Sequence, residues 1–122
     1  MKKILIVDDS SYYRERGAEI VKRAGYEYYF AEDGSQAVKM YQKIQPDYVT
    51  MDIMMPYMDG LEATKIICDK YPKAKVLVCS SVGHFPIYRN QAFKNGAVGI
   101  LDKYYDLDEL EFKIKEADLI KD

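Results

Sequence analysis

Tyr48-Val49-Thr50-Met51-Asp52-Ile53-Met54-Met55-Pro56-Tyr57-Met58-Asp59-Gly60 is the stretch on which the fold turns. Tyr48 to Met51 are mostly apolar and β-branched, the composition of a short buried strand, and that strand ends on a carboxylate. Pro56, the Asp59-Gly60 turn signal and the following Leu61-Glu62-Ala63 then spell loop and helix. Open α/β sheets carry their chemistry at the carboxyl ends of their strands, so Asp52 marks a candidate site.

Three other apolar runs end in the same way. Ile4-Leu5-Ile6-Val7 leads into Asp8-Asp9-Ser10, Val76-Leu77-Val78-Cys79 into Ser80-Ser81, and Val98-Gly99-Ile100-Leu101 into Asp102-Lys103. In one parallel sheet these runs deliver acids, a hydroxyl and an ammonium to a common edge.

Between the runs the apolar spacing changes to that of helices. From Ser10 to about Ala24, Tyr13, Ala18, Ile20, Val21 and Ala24 fall on one stripe, with Arg14, Glu15, Glu19 and Lys22 opposite and Gly25 closing the helix. Tyr26 to Ala31 reads as an edge strand because it is aromatic yet charged. Asp33 with Gln36, Asp59 with Glu62 and Asp106 with Glu109 are capping pairs that open three helices. The first of these runs through Ile44, the second ends near Tyr71-Pro72, and the last buries Leu107, Leu110, Ile114 and Ala117. Gly83-His84-Phe85-Pro86 is a loop feeding a helix that stops at Asn95-Gly96. Strands alternating with helices through short loops predict a three-layer, doubly wound α/β domain over residues 1–122, with a five-stranded parallel sheet.

Composition narrows the function. Lys and Arg number 18 against 20 Asp and Glu, without runs of one sign, which argues against nucleic acid or an anionic membrane as partner. Met1-Lys2-Lys3 leads into an apolar run too short for a signal peptide or a membrane span, so a cytoplasmic location is expected. Cys68 and Cys79 lack metal-site spacing and read as buried reduced thiols. His84 is the only histidine and reads as a loop residue near the pocket rim. Met51, Met54, Met55 and Met58 read as packing and loop residues.

Asp8, Asp9 and Asp52 crowd negative charge into one place and need a compensating cation. An oxygen-only donor set suits a hard ion, Mg²⁺ before Ca²⁺, and the three acids are then balanced by Lys103 and one such ion.

Ile4 to Ser10, Met51 to Gly60, Val78 to Gly83, Asn95-Gly96-Ala97 and Lys103 together resemble the receiver domain of two-component response regulators. Val-Cys-Ser-Ser-Val-Gly-His and Thr-Met-Asp are most similar to the chemotaxis-type single-domain members. The resemblance implies a flavodoxin-like fold of strand order 2-1-3-4-5. It implies that Asp52 takes a phosphoryl group from a phosphohistidine of a histidine kinase or phosphotransfer protein. Asp9, Asp52 and the Met54 carbonyl then hold Mg²⁺, with Asp8 acting through a water. Lys103 and Ser80 meet the phosphoryl oxygens, and Ser81 keeps the entrance small. Output implied by the family is protein docking on the last two helices and last strand, in chemotaxis or a related circuit, with at most slow self-dephosphorylation in place of enzyme turnover.

Three residues depart from the family pattern. Tyr104 follows Lys103 where a proline is usual, so the peptide is expected to be trans and Lys103 to sit differently. Ile100 stands where many members carry a switching aromatic, and Asp102 is placed to hold the lysine away. From these comes an alternative reading, a degenerate receiver that binds its partner without phosphorylation. A flavin carrier is disfavoured because Asp8-Asp9 would repel a phosphate. An aspartate phosphatase usually has a second acid where this chain has Met54.

Overall fold

The computed structural model of the chain describes residues 1–82 and 85–122. The reading of Gly83 and His84 as loop therefore lies outside the described residues. Strands and helices alternate throughout: β1 Lys3–Val7, α1 Ser11–Arg23, β2 Glu27–Ala31, α2 Gly34–Ile44, β3 Tyr48–Met51, α3 Gly60–Lys70, β4 Val76–Cys79, α4 Pro86–Lys94, β5 Gly99–Leu101 and α5 Leu107–Ile120. The sheet runs β2-β1-β3-β4-β5 with all four pairings parallel. β2, whose residues are mostly exposed, lies at the edge as its charge and aromatic content predict.

Side chains alternate across the strands and so divide the core into two layers. Leu5, Val7, Val49, Met51, Val76 and Val78 pack against Ala37 and Tyr41 of α2, Ala63 and Ile67 of α3 and Ala92 of α4. On the other face Ile4, Ile6, Tyr48, Leu77 and Cys79 meet Ala18, Ile20 and Val21 of α1 and Leu110, Ile114 and Ala117 of α5. Both faces are covered, which is why these strands read as unbroken apolar runs.

The capping pairs hold. Asp33, Asp59 and Asp106 accept from the backbone N–H of Gln36, Glu62 and Glu109 at 2.9, 2.8 and 2.9 Å. Pro86 occupies the first turn of α4, and Gly25 (φ 89°) and Gly96 (φ 112°) take the left-handed turns that end α1 and α4. Cys68 and Cys79 are free and buried, as read.

At the sheet edge where the strands begin, charge ties α5 to its neighbours. The buried Tyr48 hydroxyl donates to Asp118 at 2.9 Å, and Lys75 pairs with the same carboxylate at 2.8 Å. The Lys121 ammonium donates to the carbonyls of Ala74 and Gly96, both at 2.9 Å. Among the described residues no helix is long and apolar enough to cross a membrane.

Candidate functional site

The chain order of the strands reverses between β1 and β3, and neighbouring loops diverge there. Val7 pairs with Met51, so the next residue of each strand, Asp8 and Asp52, emerges side by side. The Asp52 N–H still donates to the Val7 carbonyl at 2.9 Å, which carries the ladder one step past the strand end. Cys79 pairs with Leu101, which sets Ser80 and the turn carrying Lys103 on the same edge.

The structure brings the predicted acids together. One carboxylate oxygen each of Asp8, Asp9 and Asp52 lies within 4.8 Å of the others, with Asp8 and Asp52 buried and Asp9 exposed. Lys103 joins them: its Nζ is 2.6 Å from Asp8 Oδ2 and 3.4 Å from Asp52 Oδ2. Asp52 Oδ1 accepts from the Ile53 N–H at 2.9 Å, and Asp8 Oδ1 from the Ser10 N–H at 2.9 Å. Arg14 of α1 donates to the Asp8 carbonyl at 2.8 Å and fixes the turn between β1 and α1.

Burial pushes the Asp52 carboxyl up from 3.8 to about 6, and Asp8 adds to the rise, against Lys103 and the Ile53 N–H, which favour the charged form. For Lys103, burial works to lower the pKa, but the bond to Asp8 and the charges of Asp52 and Asp8 outweigh it and hold the ammonium above its ordinary value. One lysine thus leaves the site short of positive charge. Three carboxylates, one opening to solvent at Asp9, form an all-oxygen donor set that fits a hard divalent ion with waters retained.

Ser80 is buried and its Oγ accepts from the Val82 N–H at 3.3 Å. Ser81 is exposed, and Met54, two residues beyond Asp52, has its side chain 51% exposed on the rim. No described peptide bond is cis, so the link from Lys103 to Tyr104 is trans, as expected from the missing proline. Lys103 nevertheless reaches both buried acids. Asp102 does not hold it away from them: its Oδ1 accepts from the Tyr104 N–H at 2.8 Å, and its own N–H donates to Glu109 at 2.9 Å.

The sequence reading put Tyr13 on the apolar stripe of α1 and gave it no part in the site; the structure sets it, half-buried, against the site. Its ring lies over Lys103, 4.2 Å from the ammonium to the centroid, and its hydroxyl bonds the Tyr104 hydroxyl at 2.7 Å. α1 starts at the sheet edge where β1 ends, so the first-turn member of its apolar stripe overhangs the edge and meets the site. The stripe itself carried no sign of this.

The family model of the response regulator receiver domain matches residues 4–115. The chain is similar to chemotaxis protein CheY of Listeria monocytogenes, 42% identical over 118 residues, which is 96% of this chain and 98% of that protein. Among solved structures it resembles chemotaxis protein CheY4 of Vibrio cholerae, with a TM-score of 0.88 at 29% identity, covering 96% of this chain and 98% of that one. It also resembles response regulator TrrA of Thermotoga maritima, solved in complex with Mg²⁺-BeF, with a TM-score of 0.85 at 34% identity, covering 96% and 99%. Strand order, acid cluster and sequence match agree: this chain belongs to the response regulator receiver domain family, in its CheY-like form.

Proposed function

We propose that residues 1–122 work as a receiver that takes a phosphoryl group on Asp52 from a histidine kinase or phosphotransfer protein and signals by docking to another protein. The carrying observation is the Lys103 ammonium lodged 2.6 Å from Asp8 and 3.4 Å from Asp52 inside a cluster of acids. That arrangement supplies positive charge where phosphoryl oxygens would sit beside the Asp52 nucleophile. An Asp52 oxygen attacks phosphorus and forms the acyl phosphate; the phosphorus–nitrogen bond breaks, and its electron pair leaves with the imidazole.

Asp9, Asp52 and the Met54 carbonyl would hold Mg²⁺, with Asp8 acting through a water. When bound, the ion neutralises charge on the phosphoryl oxygens. Lys103 faces the same oxygens, the Ser80 hydroxyl hydrogen-bonds one of them, and Ser81 leaves the entrance open. The output surface in this reading is α4, β5 and α5, where Ile87 of α4 and Phe112 of α5 are exposed. The circuit is of the chemotaxis type, and the location is cytoplasmic.

Incubation with Mg²⁺ and acetyl phosphate is expected to add one phosphoryl group, read by intact mass, and chelation of the ion is expected to prevent it. A protein that ignores Mg²⁺ and stays unmodified defeats the assignment. Ile100, 5% exposed in the core, favours the alternative of phosphorylation-independent binding. Under that alternative a beryllofluoride mimic leaves the amide spectrum of α4, β5 and α5 unchanged.

The rim makes the acyl phosphate long-lived in this reading. Met54 and the half-buried Val82 are both apolar and offer no side-chain hydrogen bond to an incoming water. Met54→Asn is expected to speed phosphate loss about three- to tenfold, the rate equivalent of one hydrogen bond of about 1 kcal/mol. A single-exponential decay followed by mass measures it, and an unchanged rate refutes the argument.

A further inference from the structure

The turn carrying Lys103 has little of its own to fix the lysine. Lys103 lies two residues past the end of β5, in a turn closed by the Tyr105 N–H donating to the Asp102 carbonyl at 3.1 Å. A lysine side chain is flexible and has about 2 kcal/mol of rotamer freedom to lose. Even so, its side chain is 12% exposed and its ammonium reaches both buried acids.

α1 supplies the restraint from outside. Tyr13 sets its ring against the ammonium at 4.2 Å, while Asp8 and Asp52 draw it toward the acid cluster. The ring is held in turn, because the Tyr13 and Tyr104 hydroxyls bond at 2.7 Å and the two rings meet edge to face at 5.7 Å. Arg16, one turn along α1, donates to the Tyr104 carbonyl at 3.1 Å, and its guanidinium lies 6.0 Å from the Tyr104 ring and 5.8 Å from the Tyr105 ring. Tyr13 and Arg16 of a single helix therefore grip Lys103 and the two residues that follow it.

We propose that Tyr13, braced by the Tyr104 hydroxyl and by Arg16, is a positioning residue that holds the Lys103 ammonium over the phosphoacceptor. The proposal rests on the receiver reading of the same site. The ring face attracts the cation electrostatically and removes water from one side of it. The tie through Tyr104 fastens the lysine's neighbour to α1, so the ring and the ammonium keep their spacing when the turn fluctuates. Tyr13 touches no reacting atom and acts through Lys103 alone.

The test compares Tyr13→Leu, Tyr13→Phe and Tyr104→Phe with wild type, each loaded with Mg²⁺ and acetyl phosphate. Rates come from intact mass, Mg²⁺ affinity from amide shifts, and lysine ordering from the Lys103 side-chain ammonium signal in nitrogen-15 spectra. Tyr13→Leu is expected to slow phosphorylation about five- to tenfold, the value of a part-desolvated cation–ring contact, with Mg²⁺ affinity unchanged and the ammonium signal lost. Tyr13→Phe keeps the ring and is expected to rescue most of the rate. Tyr104→Phe removes the same hydroxyl bond and should match it. Wild-type rate in Tyr13→Leu overturns the proposal. So does a Tyr13→Phe rate as low as that of Tyr13→Leu, or a fall in rate that merely follows a fall in Mg²⁺ affinity. A wild-type protein that takes no phosphoryl group fails the receiver reading instead, so the two failures are distinct.

Discussion

Asp52→Asn is expected to accept no phosphoryl group from acetyl phosphate and, without Mg²⁺, to withstand more denaturant than the wild type. The first effect is chemical: an amide cannot form the acyl phosphate. The second comes from burial. Asp52 is buried beside Asp8, and its carboxyl rises from 3.8 to about 6 with burial the larger cause. A rise of that size corresponds to at most about 3 kcal/mol, which solvent screening at the open rim reduces to about 2 kcal/mol.

The sign follows from proton linkage. The native pKa lies above the unfolded one, so the native state holds an extra proton between 3.8 and about 6. The penalty for the charged carboxylate is complete above that range, shrinks as pH falls through about 6, and is gone below about 4. The advantage of the Asn variant should follow the same course in urea unfolding. Magnesium should close the gap and turn it over, because a ligand that binds only the native wild type stabilises it by about 2.7 kcal/mol at a hundred times its Kd. An Asn variant still phosphorylated would move the acceptor elsewhere, and an unchanged denaturant midpoint would refute the account of burial.

Gly60→Ala is the second large effect, and its cause is steric. A Cβ on Gly60 would lie 1.8 Å from the Asp52 carbonyl oxygen and 2.8 Å from its carbon. Neither atom belongs to a side chain that can turn aside. The Gly60 N–H also donates to the Ile53 carbonyl at 2.9 Å, which fastens the start of α3 against the segment that follows β3. Relief requires one of them to shift, and the backbone that shifts carries the candidate phosphoacceptor. The expected cost is about 4 kcal/mol, at the far end of the range for single substitutions, with Mg²⁺ affinity of the folded fraction weakened about tenfold. Gly25→Ala is the control. Gly25 has φ 89° but nothing within 4 Å of an added Cβ, so its cost is the backbone term of about 1 kcal/mol. Urea unfolding of both variants decides; equal costs would remove the steric argument.

The fold was readable because β1, β3, β4 and β5 are apolar on both faces and α2, α3 and α5 open on side-chain caps, signals contained within about a dozen residues. Asp8 and Asp52 were readable because each ends such a strand. Lys103 was legible only in company: alone it is a lysine after a short apolar run, and its standing came from the acids of the other strands. The part Tyr13 plays at the site was missed because helical spacing reports which face a residue occupies and not how far the helix extends past the sheet. Asp102 was misjudged for a related reason, since adjacency to Lys103 in sequence does not fix where two side chains point. The bond from Tyr48 to Asp118 spans 70 residues and has no local signal at all.

That bond is one of several that moor α5 at both of its ends. The far end is moored through Asp118 and Lys121 to the segments that open β3, β4 and β5, by charge-assisted bonds of 2.8 to 2.9 Å. The near end leaves the Lys103 turn, where Glu109 accepts from the Asp102 N–H at 2.9 Å and Arg16 of α1 donates to the Tyr104 carbonyl at 3.1 Å. A displacement at Asp52 that moved the Lys103 turn would therefore pull on the first turn of α5 through Glu109, against the charge-assisted bonds that hold the distant tip.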